Sequence, residues 1–187
     1  MSDELNMDEM WEQGIDQDEL RKGQADLLLP VGTYHTIPAL TLQFNDEVGK
    51  FDGRPVGSVA RYFGQVERRA TDKDVQAAAK DGREIKEGDV IARGAIGFNV
   101  SPIRINSKDR DGRDTGRPDR TYRLWMNSVA AYKIAYGAEP NVKSDVLNFI
   151  RDYEVRIRVG QYNVPTERNP EPEGDPGNNV LAVSAVK

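Results

Sequence analysis

The chain has 187 residues, 37% of them hydrophobic and 30% charged, and a formal net charge of −5; that is room for one domain with a core and long loops, on the polar side of globular. It contains no cysteine and a single histidine, His35, which excludes disulfides, thiolate metal sites, multi-histidine centres and a Cys–His pair. No apolar run approaches the ~18 residues of a membrane span, and the acidic start lacks the basic flank of a secretory signal.

Residues 1–26 hold nine acids against Arg21 and Lys22, a net of −7, so residues 27–187 carry a net of +2. This division predicts an acidic, disordered leader followed by one mildly basic domain over 27–187. Met7, Met10, Trp11 and Ile15 fit one side of a short helix in the leader. Such a segment serves as a solvated tail, as a hook that docks on a partner, or as a DNA mimic competing for the domain's own basic surface.

Residues 31–44 are rich in Thr, Tyr, Ile and Leu and read as a long strand, with Pro38 demanding an edge or a bulge. Residues 45–55 read as a loop with Lys50, Phe51 and Arg54 at its tip. In 56–66 a second strand puts Val59, Arg61, Phe63 and Gln65 on one face and Ala60, Tyr62, Gly64 and Val66 on the other. Thr71 with Asp74 forms a capping box for a helix to Lys80. A third strand, 90–105, carries Arg93 and is interrupted by Gly94, Gly97 and Pro102, which suggests bends or bulges.

Residues 107–120 read as a polar loop of alternating Arg/Lys and Asp. Tyr122, Trp125, Val129, Tyr132 and Tyr136 then recur at helical spacing, with Asp119 as cap and Gly137 and Pro140 as the stop. A shorter helix follows, with Asn141 as cap and Val142, Val146, Phe149 and Ile150 as its apolar face. The period then changes to two. Tyr153, Val155, Ile157 and Val159 alternate with Glu154, Arg156, Arg158 and Gly160, a strand with one buried and one largely basic face. A proline-rich loop over 163–178 and a last strand over 179–186 complete the chain.

The fold class read from this order is mainly β with α, in the sequence β–β–β–α–β–β with one short extra helix and long loops. That is the order of a five-stranded OB-like barrel, whose helix lies between the third and fourth strands. A sandwich uses the same elements.

The run Leu29-Pro30-Val31-Gly32-Thr33-Tyr34 is similar to the leucine-proline-x-glycine-x-tyrosine opening of many phage-encoded single-stranded-DNA-binding proteins. The aromatic helix ending in Tyr136-Gly137, the strand at 155–160 and Asn178-Asn179-Val180 resemble the second half of the same domains. The resemblance covers roughly residues 27–187. It implies an OB-like barrel acting in phage DNA replication or recombination, in the cytoplasm of the infected bacterial host, with single-stranded DNA as partner. Phage or host replication or recombination proteins are the partners a leader hook would meet, and no cofactor is expected. The chain departs from the pattern in its long 107–120 loop and in carrying its acidic segment at the N-terminus, where cellular relatives carry an acidic C-terminal tip.

Single-strand binding needs a basic groove that follows phosphates and aromatic faces on which bases stack. In an OB barrel strands two and three form that groove, flanked by the first loop and the loop between strands four and five. The candidates are therefore Arg61, Phe63 and Arg93 on the strands, Lys50, Phe51 and Arg54 in the first loop, Tyr162 and Arg168 near the last, and Arg156 and Arg158 extending the path. Phe51, flanked by glycines, is the foremost stacking candidate; Phe63 and Phe98 compete for the core.

Enzymatic readings have little to stand on. There is no P-loop, no G-x-G-x-x-G, no G-x-S-x-G and no histidine–glutamate zinc motif. Asp109, Asp111 and Asp114 lack the sixth-position glycine of an EF-hand and are interleaved with arginines. Asp72, Asp74, Asp81 and Glu84 have no spacing that points to a two-metal nuclease. The alternative to DNA binding is a structural or assembly protein of a virion. The chain lacking residues 1–26 is expected to keep a single cooperative thermal transition, because the leader has little apolar content. If the leader shields the basic surface, the truncated chain binds oligonucleotides more tightly, most visibly at low salt; loss of the transition would make the leader part of the fold.

Overall fold

The structure, a computed structural model, describes residues 28–44, 50–51, 53–109, 111–164 and 175–186. The leader assigned to 1–26 and the candidate Arg168 lie outside the described residues. The chain divides into two compact units, Leu29–Gly160 with Asn178–Lys187, and Met1–Leu28 with Gln161–Gly177. The fold described below is that of the first.

Its spine is the strand Ala60–Arg69 (β5), where polar and apolar side chains alternate as the strand period requires. Ala60, Tyr62 and Val66 point into the core, while Arg61, Phe63 and Gln65 are exposed. Both edges of β5 are paired. Val90–Val100 (β6) runs antiparallel along one edge. On the other, Gly32–Thr36 (β1) meets one end of β5 and Thr41–Phe44 (β2) meets the other, both antiparallel. Beyond β1 lies Val155–Val164 (β9), antiparallel to it, and beyond β9 lies Asp175–Ala185 (β10). The protein is thus mainly β, with an open antiparallel sheet and, among the described residues, three helices.

The strand expected over 31–44 is divided into β1 and β2 where Pro38 stands. Ala39 adopts φ 71°, a left-handed conformation that costs a non-glycine residue energy. The strain has a structural return: the amides of Ala39 and Leu40 both donate to the carbonyl of Arg151, at 2.9 Å each. Gly94 and Gly97 do not interrupt β6, contrary to the expected bends. They admit neighbours instead. A Cβ on Gly94 would lie 2.5 Å from Leu29 Cδ2, and one on Gly97 would lie 3.3 Å from Phe63 Cδ2. The irregularity in β6 falls near its start instead, where Ala92 pairs with Arg68 and Val90 with Arg69, leaving Ile91 as the extra residue.

The helices are set by their ends. Asp72–Lys80 (α1) begins with the expected box: the Thr71 amide donates to Asp74 Oδ2 at 2.9 Å. Arg68, 2.6 Å from Asp74, ties it to β5. Arg120–Tyr136 (α2) is capped by Asp119, which accepts from the amides of Thr121 and Tyr122, and closes at Gly137 in the left-handed region. Lys143–Asp152 (α3) starts one residue later than Asn141 predicts. Val142 is its first cap, and the carboxylate of Asp145 satisfies the amides of both Asn141 and Val142.

The core lies on the inner face of the sheet. Leu124, Trp125 and Ala131 of α2 and Val146, Phe149 and Ile150 of α3 join Tyr62, Val66, Phe98, Val100, Ile157 and Val159 in one cluster. Tyr62 and Phe98 stack at a centroid distance of 5.3 Å, and Tyr62 Oη donates to the carbonyl of Leu147 at 2.9 Å. Burial pushes the Tyr62 phenol well above its ordinary pKa, so it is a hydrogen-bond donor at any working pH. The buried stripe of α2 is centred on Leu124, Ser128 and Ala131, and Tyr136 at its end is 47% exposed.

Two small hairpins complete the unit. Lys50–Phe51 (β3) pairs with Arg54–Pro55 (β4), and Asn106–Lys108 (β7) pairs with Asp114–Pro118 (β8), where the sequence reads as a loop. The second hairpin has no apolar alternation because no face of it meets the core. Side chains hold it: Ser107 Oγ lies 2.7 Å from Thr115 Oγ1, and Asn106 Nδ2 donates to Asp114 at 3.0 Å. No helix among the described residues is long and apolar enough to cross a membrane.

Arg54 is the correction that matters most for function. It is fully buried, its guanidinium 2.6 Å from Asp119 Oδ2, with Nε donating to the carbonyl of Ile103 at 3.4 Å. It is therefore a structural ion-pair residue and cannot meet a phosphate. Arg54→Ala is expected to lower stability by about 3–5 kcal/mol, the cost of stranding a buried charge, read from urea denaturation. Burial opposes ionisation of Asp119, but hydrogen bonds from Thr121, Arg54 and the Tyr122 amide outweigh it and hold its pKa below the usual range. A depressed folded pKa stabilises above the unfolded value of ~3.9. Asp119's contribution is thus lost as pH falls through its folded pKa, and Asp119→Asn should flatten the acid limb of stability.

Candidate nucleic-acid interface

On β5, period-two alternation turns Arg61, Phe63 and Gln65 away from the core, and antiparallel register sets their neighbours. Arg61 stands between Asn99 of β6 and Gln43 of β2; Phe63 between Gly97 and Thr41; Gln65 opposite Ala95. No acid occupies these rows. Phe63 is 53% exposed, so the competition between core and surface is resolved toward the surface. Phe98, buried against Tyr62, is the core aromatic.

The reason Phe63 tolerates exposure lies in Gly97. With no Cβ opposite it, the ring leans across β6 and lies close to that strand's backbone, a cover that compensates a strand glycine. About half of the residue's surface remains accessible. A planar aromatic face beside a guanidinium and two side-chain amides can stack a base and hold a phosphate together.

The next row crosses the sheet from Arg93 through Glu67 and His35 to Arg156. Here charge is compensated. Arg69 donates to Glu67 at 2.9–3.0 Å and to both oxygens of Glu154 at 2.9 and 3.2 Å. His35 Nδ1 lies 2.7 Å from Glu154 Oε1, so that nitrogen carries the proton donated to the carboxylate. Burial would raise the Glu154 pKa, but the hydrogen bonds from His35 and Arg69 prevail and lower it. Glu67 is 3.9 Å from Arg93, whose side chain is 71% exposed, so that pair holds Arg93 weakly. Arg156 donates through Nε to the carbonyl of Ala185 at 3.0 Å, and Arg158, opposite Thr33, is exposed.

The structure thus brings Arg61, Phe63, Arg93, Arg156 and Arg158 onto one face. The electropositive part is the β5–β6 end, because Glu67 and Glu154 offset much of the charge in the Arg93–Arg156 row. Arg54 is not among them, being buried. For Lys50 and Phe51 the strand pairing is described but the side chains lie outside the described set, and with them the leading sequence candidate for stacking. Tyr162 is exposed and belongs to the second unit.

Sequence reasoning missed Thr41, Gln43 and Asn99, which flank Phe63 and Arg61. Polar residues of this kind carry a signal only once strand register is known. It also missed the acids that quench half of the face, since Glu67 and Glu154 are remote in sequence and meet only through Arg69. No group of three or more potential metal ligands occurs among the described residues.

A further aromatic group lies elsewhere, at the ends of α2 and α3. Tyr132, Tyr136, Phe149 and Tyr153 pack ring to ring, with centroids 4.5–6.0 Å apart. A hydrogen bond with Tyr153, with help from burial, pushes the Tyr136 phenol up to about 12. The rings close the end of the core. No family model, no curated protein and no solved structure matches the chain.

Proposed function

We propose that this protein binds single-stranded DNA without regard to sequence, using the outer face of β5 and β6. The observation that carries the reading is Phe63, a half-exposed ring laid across Gly97 with Arg61, Gln65 and Arg93 on the same face. Every base has a π-face, so a ring serves any sequence, and guanidinium groups beside it neutralise the phosphates between stacked bases.

Topology supports the same reading. Counting β1 with β2 as one broken strand, the order across the sheet is fifth, fourth, first, second, third. The 4-1-2-3 part of that order is a Greek key, and the OB fold is a five-stranded, partly open Greek-key barrel that binds oligonucleotides over strands two and three. Those strands are β5 and β6 here. The finer assignment, an OB-like barrel, is part of the proposal. The resemblance of Leu29–Tyr34 to phage single-stranded-DNA-binding proteins supports a role in phage replication or recombination within an infected bacterium.

Titration with fluorescent oligo-dT at two salt concentrations tests the proposal. Phe63→Ala should cost about 1–3 kcal/mol of binding with the salt slope intact, as expected for stacking. Arg61→Ala should weaken binding and reduce the slope of log affinity against log salt by about 0.7, as expected for one lost phosphate contact. Both side chains are exposed, so thermal stability should change little. If Phe63→Ala lowers stability but leaves binding intact, the ring merely covers Gly97. A wild-type protein indifferent to oligonucleotides would turn the assignment toward a virion structural or assembly role.

A further inference from the structure

The β7–β8 hairpin carries a second basic surface that the β5–β6 face does not include. Arg104, Lys108 and Arg117 are all exposed there, and among the described residues none of the three forms an ion pair. Asp109, Asp114 and Asp119, which alternate with them in sequence, accept hydrogen bonds within the hairpin or at its base. Asp119 is held by buried Arg54 and by the first amides of α2. Asp109 accepts from the amides of Asp111 and Arg113, both at 2.9 Å, and so closes the hairpin turn. Asp114 accepts from the Gly116 amide at 2.6 Å and from Asn106. Those two bonds lower its pKa most, and the charges of Arg104 and Lys108 lower it further. Asp111 meets only Arg113, at 3.5 Å, with both side chains more than two-thirds exposed.

The hairpin is also fixed in place. The Asp119 amide donates to the carbonyl of Ile105 at 3.0 Å, and Arg54 bonds both Asp119 and Ile103. Its base is therefore tied to the helix cap and to β4. It follows the end of the candidate face in the chain: Arg61 is opposite Asn99, β6 ends at Val100, and Arg104 follows five residues after Asn99. Five residues span at most ~18 Å of chain, the reach of a few nucleotides.

We infer that a single strand leaving the β5–β6 face past Arg61 continues onto the β7–β8 hairpin, where Arg104, Lys108 and Arg117 bind its phosphates. The inference rests on the proposed DNA binding and extends its path. It makes the hairpin a length-dependent contact: a short oligonucleotide fills the β5–β6 face alone, and a longer one engages both.

The test is Arg104→Glu with Arg117→Glu in the full chain, titrated with oligo-dT of about 6 and about 20 nucleotides, lengths that bracket the site sizes of such folds. At about 0.15 M salt, where screening acts beyond ~8 Å, affinity for the longer oligonucleotide should fall about tenfold or more and its salt slope should decrease by about 1.4, the share of two phosphates. Affinity for the shorter one should change less than about twofold. Unchanged long-oligonucleotide binding would overturn the inference while leaving the proposed function standing. An equal loss at both lengths would mean a general charge effect and overturn it too. A wild type that binds neither length would overturn the proposed function and this inference with it. Should the glutamate variant fail to fold, Arg104→Gln with Arg117→Gln carries the same comparison.

Discussion

The alternation of side chains along β5 is the constraint on which the rest of the structure depends. The strand is paired on both edges, so its backbone has no rotational choice, and its side chains are divided between two environments. Tyr62 and Val66 fall on the core side, where Tyr62 stacks on Phe98 and bonds to α3. Arg61, Phe63 and Gln65 fall on the other. A register slip of one residue would exchange the two sets, burying a guanidinium and exposing the core. The candidate DNA face and the hydrophobic core are therefore specified by the same residues, read at odd and even positions.

Glycines set how closely the layers approach. Leu29 packs over Gly94 and Leu40 over Gly64, each where a Cβ would collide. Leu29 is also held by Asn178, whose side-chain amide donates to the Leu29 carbonyl at 2.8 Å and accepts from the Leu29 amide at 2.7 Å. One asparagine thus satisfies both backbone groups of the residue that opens the domain, and it reaches the carbonyl of Gly160 as well. The first and last parts of this unit are joined by that side chain. The Leu29–Tyr34 run has a structural meaning of its own: the Tyr34 ring is fully buried and its hydroxyl turns back to the carbonyl of Pro30 at 2.9 Å.

Electrostatics divide the arginines into three kinds. Arg54 is internal and joins β4 to the cap of α2. Arg69 lies on the sheet but serves two carboxylates, and that network also engages His35, the one histidine of the chain. Arg61, Arg104, Arg117 and Arg158 are exposed without such partners. Formal charge alone does not distinguish these kinds, because only the fold decides which arginines meet carboxylates.

The sequence by itself determined the elements whose pattern is local. The alternation in β5 and β9, the Thr71–Asp74 box, the Asp119 cap and the Gly137 stop all depend on neighbours within a few residues, and periodicity reports them directly. Pro38 likewise announced the break between β1 and β2. Tertiary structure alone decided what depends on register and partners. It placed Arg54 inside, since only the fold brings residue 119 beside it. It turned Phe63 outward over Gly97, since cross-strand pairing is invisible in a single sequence. It made a hairpin of the polar 106–118 segment, which has no apolar face to betray it. Partner choice across a sheet is a long-range property, set by which strands meet, and a linear pattern with period two is the same for every partner.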